Sequence, residues 1–134
     1  MRASTSRNDG FRNTVTIRTH ELTLDEETEN GGTDTGPNPL ELLAGSLAGC
    51  VAITMEMYAR RKGWEIGGVG VDVEFSPAER GTPTKFEIVL RLPESLTEEQ
   101  AERLTIIAAK CPVHRVLDGE VMFDERVERT ALAG

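Results

Sequence analysis

The chain has 134 residues, 38% of them hydrophobic, and its 15 basic and 23 acidic side chains give a formal net charge of −8 at pH 7. That size supports one core, so a single domain over residues 1–134 is expected. The acidic balance argues against DNA, RNA and anionic membranes, which attract basic surfaces. No uninterrupted apolar run reaches the ~18 residues of a membrane span. The opening MRASTSRNDG lacks the apolar stretch of a secretion signal, so a cytoplasmic protein is expected. Two cysteines are too few for a disulfide-stapled secreted scaffold.

In chain order, residues 1–13 are polar and are expected to be loose. Thr14–Arg18 and Leu22–Asp25 read as short strands with Val15/Ile17 and Leu22/Leu24 turned inward. Asp25–Gly36 is an acidic, glycine-rich loop, read as a flexible connector. It does not fit a calcium loop, because Asn30 stands where that loop needs glycine. Asn38, Pro39 and Glu41 then suit the N-cap, N1 and N3 positions of a helix, with a capping box between Asn38 and Glu41. The helix should run to about Lys62 and stop at Gly63. It is apolar almost all round, as a helix at the centre of a protein or between subunits would be. Gly45, Ser46, Ala48, Gly49 and Ala52 would let another backbone approach it closely.

Val69–Phe75 and Phe86–Leu92 alternate apolar and polar residues around a turn-rich stretch. This pattern predicts a hairpin with one wet face. Thr97 and Gln100 open a second helix to about Lys110, and a short helix from Pro112 to Leu117 should follow. Val121, Phe123 and Val127 suggest a last strand. The fold class is therefore α+β: a mainly antiparallel sheet, a long buried central helix and a second helical segment.

Few residues carry chemistry. Cys50 lies inside the apolar helix, where a small buried hydrophobe is the plain reading. Cys111 precedes Pro112, near the start of a helix, where the dipole favours a thiolate. Local physics thus activates Cys111, and Cys50 would need a cation from elsewhere. If the two meet in space, they suit peroxide chemistry: a thiolate attacks the O–O bond and the second thiol condenses with the resulting sulfenic acid. Such a site wants an arginine, and a carboxylate to orient it. His114 is local to Cys111, but Cys50 and His20 would have to converge from afar, so no metal is expected. No cofactor is expected either. His114 otherwise reads as a partly exposed helix residue, His20 as a turn residue, and Glu41 as half of a capping box.

GPNPLELLAGSLAGC, then 60 residues, then CPVHRVL resembles the OsmC/Ohr family of thiol-dependent peroxide-handling proteins, over about Thr14 to Val127. The resemblance implies an intertwined homodimer with long central helices and sites built from both chains. It also implies that Cys50 is the peroxidatic cysteine and Cys111 the resolving one, reversing the local reading. The family's arginine comes from the N-terminal strands, and Arg12 is the best candidate, ahead of Arg18 and Arg7. The best-known branch places a catalytic glutamate directly after the helix-initiating proline. Here Leu40 stands there and Glu41 follows, about 100° further round the helix. The P-x-E-L-L start is similar to a less characterised branch. The resemblance implies reduction of organic hydroperoxides or hydrogen peroxide, with an external dithiol as reductant. The alternative is a non-enzymatic, small-molecule-binding or redox-responsive dimer.

Overall fold

The computed structural model describes residues 1–131, so the last three residues of the expected single unit lie outside it. Among the described residues five strands and three α-helices follow in order, with a single 3-10 turn (Thr28–Asn30) before the first helix: β1 (Ser4–Asp9), β2 (Arg12–Ile17), β3 (His20–Leu24), α1 (Pro39–Arg61), β4 (Gly70–Ser76), β5 (Lys85–Arg91), α2 (Glu98–Ala108) and α3 (Pro112–Asp118). The sheets are antiparallel: a three-stranded β1-β2-β3 and a two-stranded β4-β5. The fold class is the α+β arrangement expected from the sequence.

The core forms where α1 packs on the hairpin and on α2. Cross-strand pairs Val71–Leu90, Val73–Ile88 and Phe75–Phe86 put one apolar face of the hairpin against the core. The two phenyl rings lie 5.2 Å apart. The opposite face carries Asp72, Glu74, Glu87 and Arg91, as period-2 alternation dictates. Leu47, Val51, Met55, Tyr58 and Ala59 form the buried stripe of α1, meeting Leu104 and Ala108 of α2. Both expected capping boxes are present, Asn38 with Glu41 and Thr97 with Gln100.

Several expectations need correction. The polar N-terminus is not loose: β1 is a strand and β2 begins at Arg12, because Ser, Thr and Arg side chains suit an exposed ladder on both faces. The pairing of Val15 with Leu22 is as the pattern requires, but Ile17 and Leu22 remain exposed. No last strand forms: residues 120–131 are irregular, and Val121, Phe123 and Val127 are exposed. Their apolar pattern meets no sheet edge in this chain. Helix α1 is buried along one stripe only, leaving Leu40, Ile53 and Met57 open. Its 23 residues, with a mean hydropathy of 1.5 over an 18-residue window, suffice by length and composition to cross a membrane. The expectation of no such stretch counted interruptions, whereas an average tolerates Ser46 and the glycines. The helix packs against β4, α2 and α3 as the core element.

The loop after β3 is the largest departure. Far from being a free connector, it is tied around the buried carboxylate of Asp25. That group accepts from the Glu26 N–H (2.8 Å), the Thr33 hydroxyl (2.7 Å), and the Thr35 N–H (3.1 Å) and hydroxyl (2.7 Å). The Asp25 N–H in turn donates to the Pro37 carbonyl at 3.1 Å, joining the end of β3 to the start of α1. A Cβ at Gly32 would strike the Glu26 carbonyl, and one at Gly36 the Thr23 carbonyl, so both glycines are needed for close approach.

The Thr35 and Thr33 hydroxyls hold the Asp25 carboxyl well below the usual carboxylate range, outweighing the burial that raises it. A depressed folded-state value stabilises above the unfolded value, near pH 4, and that stability is lost as pH falls further. Asp25→Asn should therefore melt at lower temperature at pH 7, by on the order of 10 °C. The gap from wild type should narrow as pH is lowered from about 5 towards 2, read by circular dichroism. A gap that stays constant would contradict this role. Leu104→Ala, at the α1–α2 contact, should cost about 2–5 kcal/mol in urea unfolding.

Candidate functional site

Cys50 sits in mid-α1, one turn past Leu47, and is partly exposed. Cys111 is fully buried at the N-cap of α3, with Pro112 at N1. Proline at N1 has no N–H to satisfy, so the first donors of α3 come from the next residues. The Val113 N–H donates to Cys50 Sγ at 3.5 Å, and the His114 N–H donates to Cys111 Sγ at 3.3 Å. Cys50 is also close enough to raise the Cys111 thiol. The turn that begins α3 thus gathers both sulfur atoms.

The electrostatics reverse the expectation from local helix physics. Burial pushes the Cys111 thiol up from its ordinary value, and the adjacent Cys50 adds to the rise. The N–H groups of His114 and Val113 offset it only in part. A helix start favours a thiolate, but a fully dry position disfavours it more. Cys111 is therefore harder to ionise than an ordinary thiol despite its N-cap position.

An apolar groove of about 520 Å³ runs between α1, the hairpin and α3, lined by Leu43, Leu47, Phe75, Phe86, Ile88 and His114 among others. A smaller cavity of about 150 Å³ lies across His114, between Val51, Leu90 and Ala108. Neither cysteine is among the lining residues; the groove is linked to them through the chain, by Leu47 one turn before Cys50 and by His114, whose N–H meets Cys111 Sγ. Large apolar concavities with few polar groups are the usual ligand sites of small proteins.

The other expected site residues lie elsewhere in the chain. The Glu41 carboxylate accepts from the Asn38 N–H at 2.9 Å, closing the capping box. It lies nine residues before Cys50, about 13 Å along the axis and half a turn round. Arg12 is on β2, on the polar face shared with Thr14 and Thr16. Its guanidinium has no hydrogen-bond or ion-pair partner among the described residues. Arg7 emerges on the opposite face, with Val15, and its Nε donates to the Gly10 carbonyl at 2.9 Å. Arg18 is in the β2–β3 turn with φ of 54°. His20 begins β3 and is exposed. Among the described residues no three of His, Cys, Asp and Glu gather closely enough to hold a metal ion.

Sequence reasoning missed the donor to Cys50. A backbone N–H carries no residue signature, and only the contact between α1 and α3 reveals it.

An accessible thiol beside a buried one, under a shared turn of N–H groups, defines a dithiol α+β protein. The chain belongs to the OsmC-like family, whose model, described as OsmC-like protein, matches residues 32–126. No curated protein matches the sequence. Among solved structures it is similar to an OsmC-like protein from Mycoplasma pneumoniae, with a TM-score of 0.74 and 20% identity over 88% of this chain and 86% of that one. It is similar also to the organic hydroperoxide resistance protein OsmC from Legionella pneumophila, at 0.62 and 22% over 89% and 90%. The organic hydroperoxide resistance protein OhrB of Bacillus subtilis aligns at 0.58 and 22% over 89% and 92%. At these identities the likeness is one of fold.

The raised Cys111 value makes a labelling prediction. Iodoacetamide at pH 7 should modify Cys50 well before Cys111, and Cys111 should gain reactivity only at higher pH, followed by peptide mass spectrometry. Faster labelling of Cys111 would reverse the assignment.

Proposed function

We propose that this protein reduces organic hydroperoxides through its two cysteines, as a cytoplasmic homodimer forming a single domain per chain. The observation that carries this reading is the convergence of Cys50 and Cys111 on the first turn of α3. Cys50, the more accessible sulfur, attacks one peroxide oxygen as its thiolate. The O–O bond breaks, the sulfur is oxidised to a sulfenic acid, and the leaving alkoxide takes up a proton to become the alcohol. The Cys111 thiol, losing its proton, then attacks the Cys50 sulfur. Water leaves and an intramolecular disulfide forms. An external dithiol reduces that bond by exchange and is itself oxidised to a disulfide.

The apolar groove between α1, the hairpin and α3 supports an organic substrate over hydrogen peroxide. Its neighbours among solved structures include organic hydroperoxide resistance proteins. The dimer is supported by the open apolar residues Ile53 and Met57 on α1 and Ile17 and Leu22 on the N-terminal sheet. That sheet also supports the source of the activating cation. It carries Arg12 and Arg7 on opposite faces, and one of them, Arg12 by the family resemblance, reaches Cys50 of the second copy. Glu41 would orient that arginine across the interface, since it lies round the helix from its own Cys50.

The test is turnover of cumene hydroperoxide with dithiothreitol as reductant. Cys50→Ser should lose activity by at least about 10²-fold. Cys111→Ser should react once and stop, with a sulfenic acid trapped by dimedone. Arg12→Gln should slow oxidation of Cys50 while leaving its alkylation product unchanged in identity. Thiols that meet peroxide no faster than free cysteine would leave a ligand-binding dimer in place of an enzyme.

A further inference from the structure

Tyr58 and Trp64 are the chain's only tyrosine and only tryptophan. They meet edge to face at 5.7 Å, at the C-terminal end of α1. The place is eight residues, about 12 Å along the axis, beyond Cys50. Tyr58 is buried, and its hydroxyl oxygen accepts from Arg103 Nε of α2 at 2.9 Å. The Arg103 guanidinium stands 5.8 Å from the ring centre and the Lys62 ammonium 5.6 Å. Together these groups line a cleft of about 410 Å³, which Ile106 and two glutamates, Glu99 and Glu102, complete.

The cations and carboxylates of this cleft are not paired with one another. Glu99 precedes Arg103 by one helical turn and is its natural partner, yet no ion pair joins them. Arg103 spends its Nε on the phenol, leaving both terminal nitrogens without a carboxylate within 4.0 Å among the described residues. The Lys62 ammonium likewise has no carboxylate partner there, and the Tyr58 hydroxyl, accepting from arginine, keeps its own proton to donate. The hydrogen bond from Arg103, with the charges of Arg103 and Lys62, draws the phenol below its ordinary value against the burial that raises it. Two cations without a carboxylate partner among the described residues thus stand with a phenol hydroxyl beside the chain's only indole. A planar guanidinium with two free N–H edges is shaped for a carboxylate or phosphate.

We propose that this cleft binds a small organic anion, its oxyanion held by Arg103, Lys62 and the Tyr58 hydroxyl and its apolar body laid against Trp64 and Ile106. Glu99 and Glu102, which also line the cleft, disfavour polyanions, so the fitting class is a compact monoanion such as a carboxylate. The site is independent of the cysteine pair and does not rest on peroxide chemistry.

Trp64 is its own reporter. In the full-length protein, Trp64 emission is titrated with sodium phenylacetate and with sodium phosphate, each against sodium chloride at matched ionic strength. A saturable change with phenylacetate is expected, with half-saturation at about millimolar concentration for a ligand of that size. Phosphate, lacking the apolar body, should require more. Arg103→Gln should raise the half-saturation about tenfold. Lys62→Gln, at an exposed position that leaves folding intact, should raise it in the same direction. An emission response no different from chloride would overturn the proposal. So would unaltered titrations in both variants, and phosphate binding as tightly as phenylacetate would overturn the role of the aromatic wall.

Discussion

The first turn of α3 is the constraint on which the rest depends. Proline at N1 leaves the next two N–H groups as the first donors of the helix, and both end on sulfur. One of these sulfurs belongs to the same turn and the other to the middle of α1. Bringing them together requires α1 to be anchored along its buried stripe, α2 to pack beside it, and α3 to turn back across it. Leu47, Val51, Met55 and Leu104 supply that anchoring. The capping boxes of α1 and α2 fix where each helix starts. The Asp25 knot fixes how the chain arrives at α1.

Two opposing effects act on the Cys111 thiol. A helix start stabilises negative charge at Cys111, while complete removal from water destabilises it. Burial prevails, and Cys111 is raised. The same folding that raises Cys111 places it beside the turn that also meets Cys50. The groove along Leu43, Leu47 and Phe86 borders the same helix as carries Cys50 and reaches α3 at His114.

Much of this was legible in the sequence where local chemistry speaks for itself. Asn38-Pro39-x-Glu41 and Thr97-x-x-Gln100 specify helix starts by the donors they satisfy, and both formed as read. The β4–β5 register follows from strict alternation. The two cysteine motifs pointed to the family. The errors fall where a partner from far away decides. The acidic loop looked free because nothing in its spacing says that Thr33 and Thr35 will turn back onto Asp25. The polar β1 looked loose because an exposed strand needs no apolar pattern. The Val121–Val127 pattern looked like a strand, but a strand needs an edge, and none meets it in this chain. Local dipole reasoning on Cys111 failed because burial is a property of the whole core.

The most direct measurement is non-reducing peptide mapping after one equivalent of organic hydroperoxide is added to the reduced protein. The account requires a single new cross-link, joining the peptide that contains Cys50 to the one that contains Cys111 within one chain. A cross-link between chains, or oxidation that leaves the two peptides separate, would contradict it.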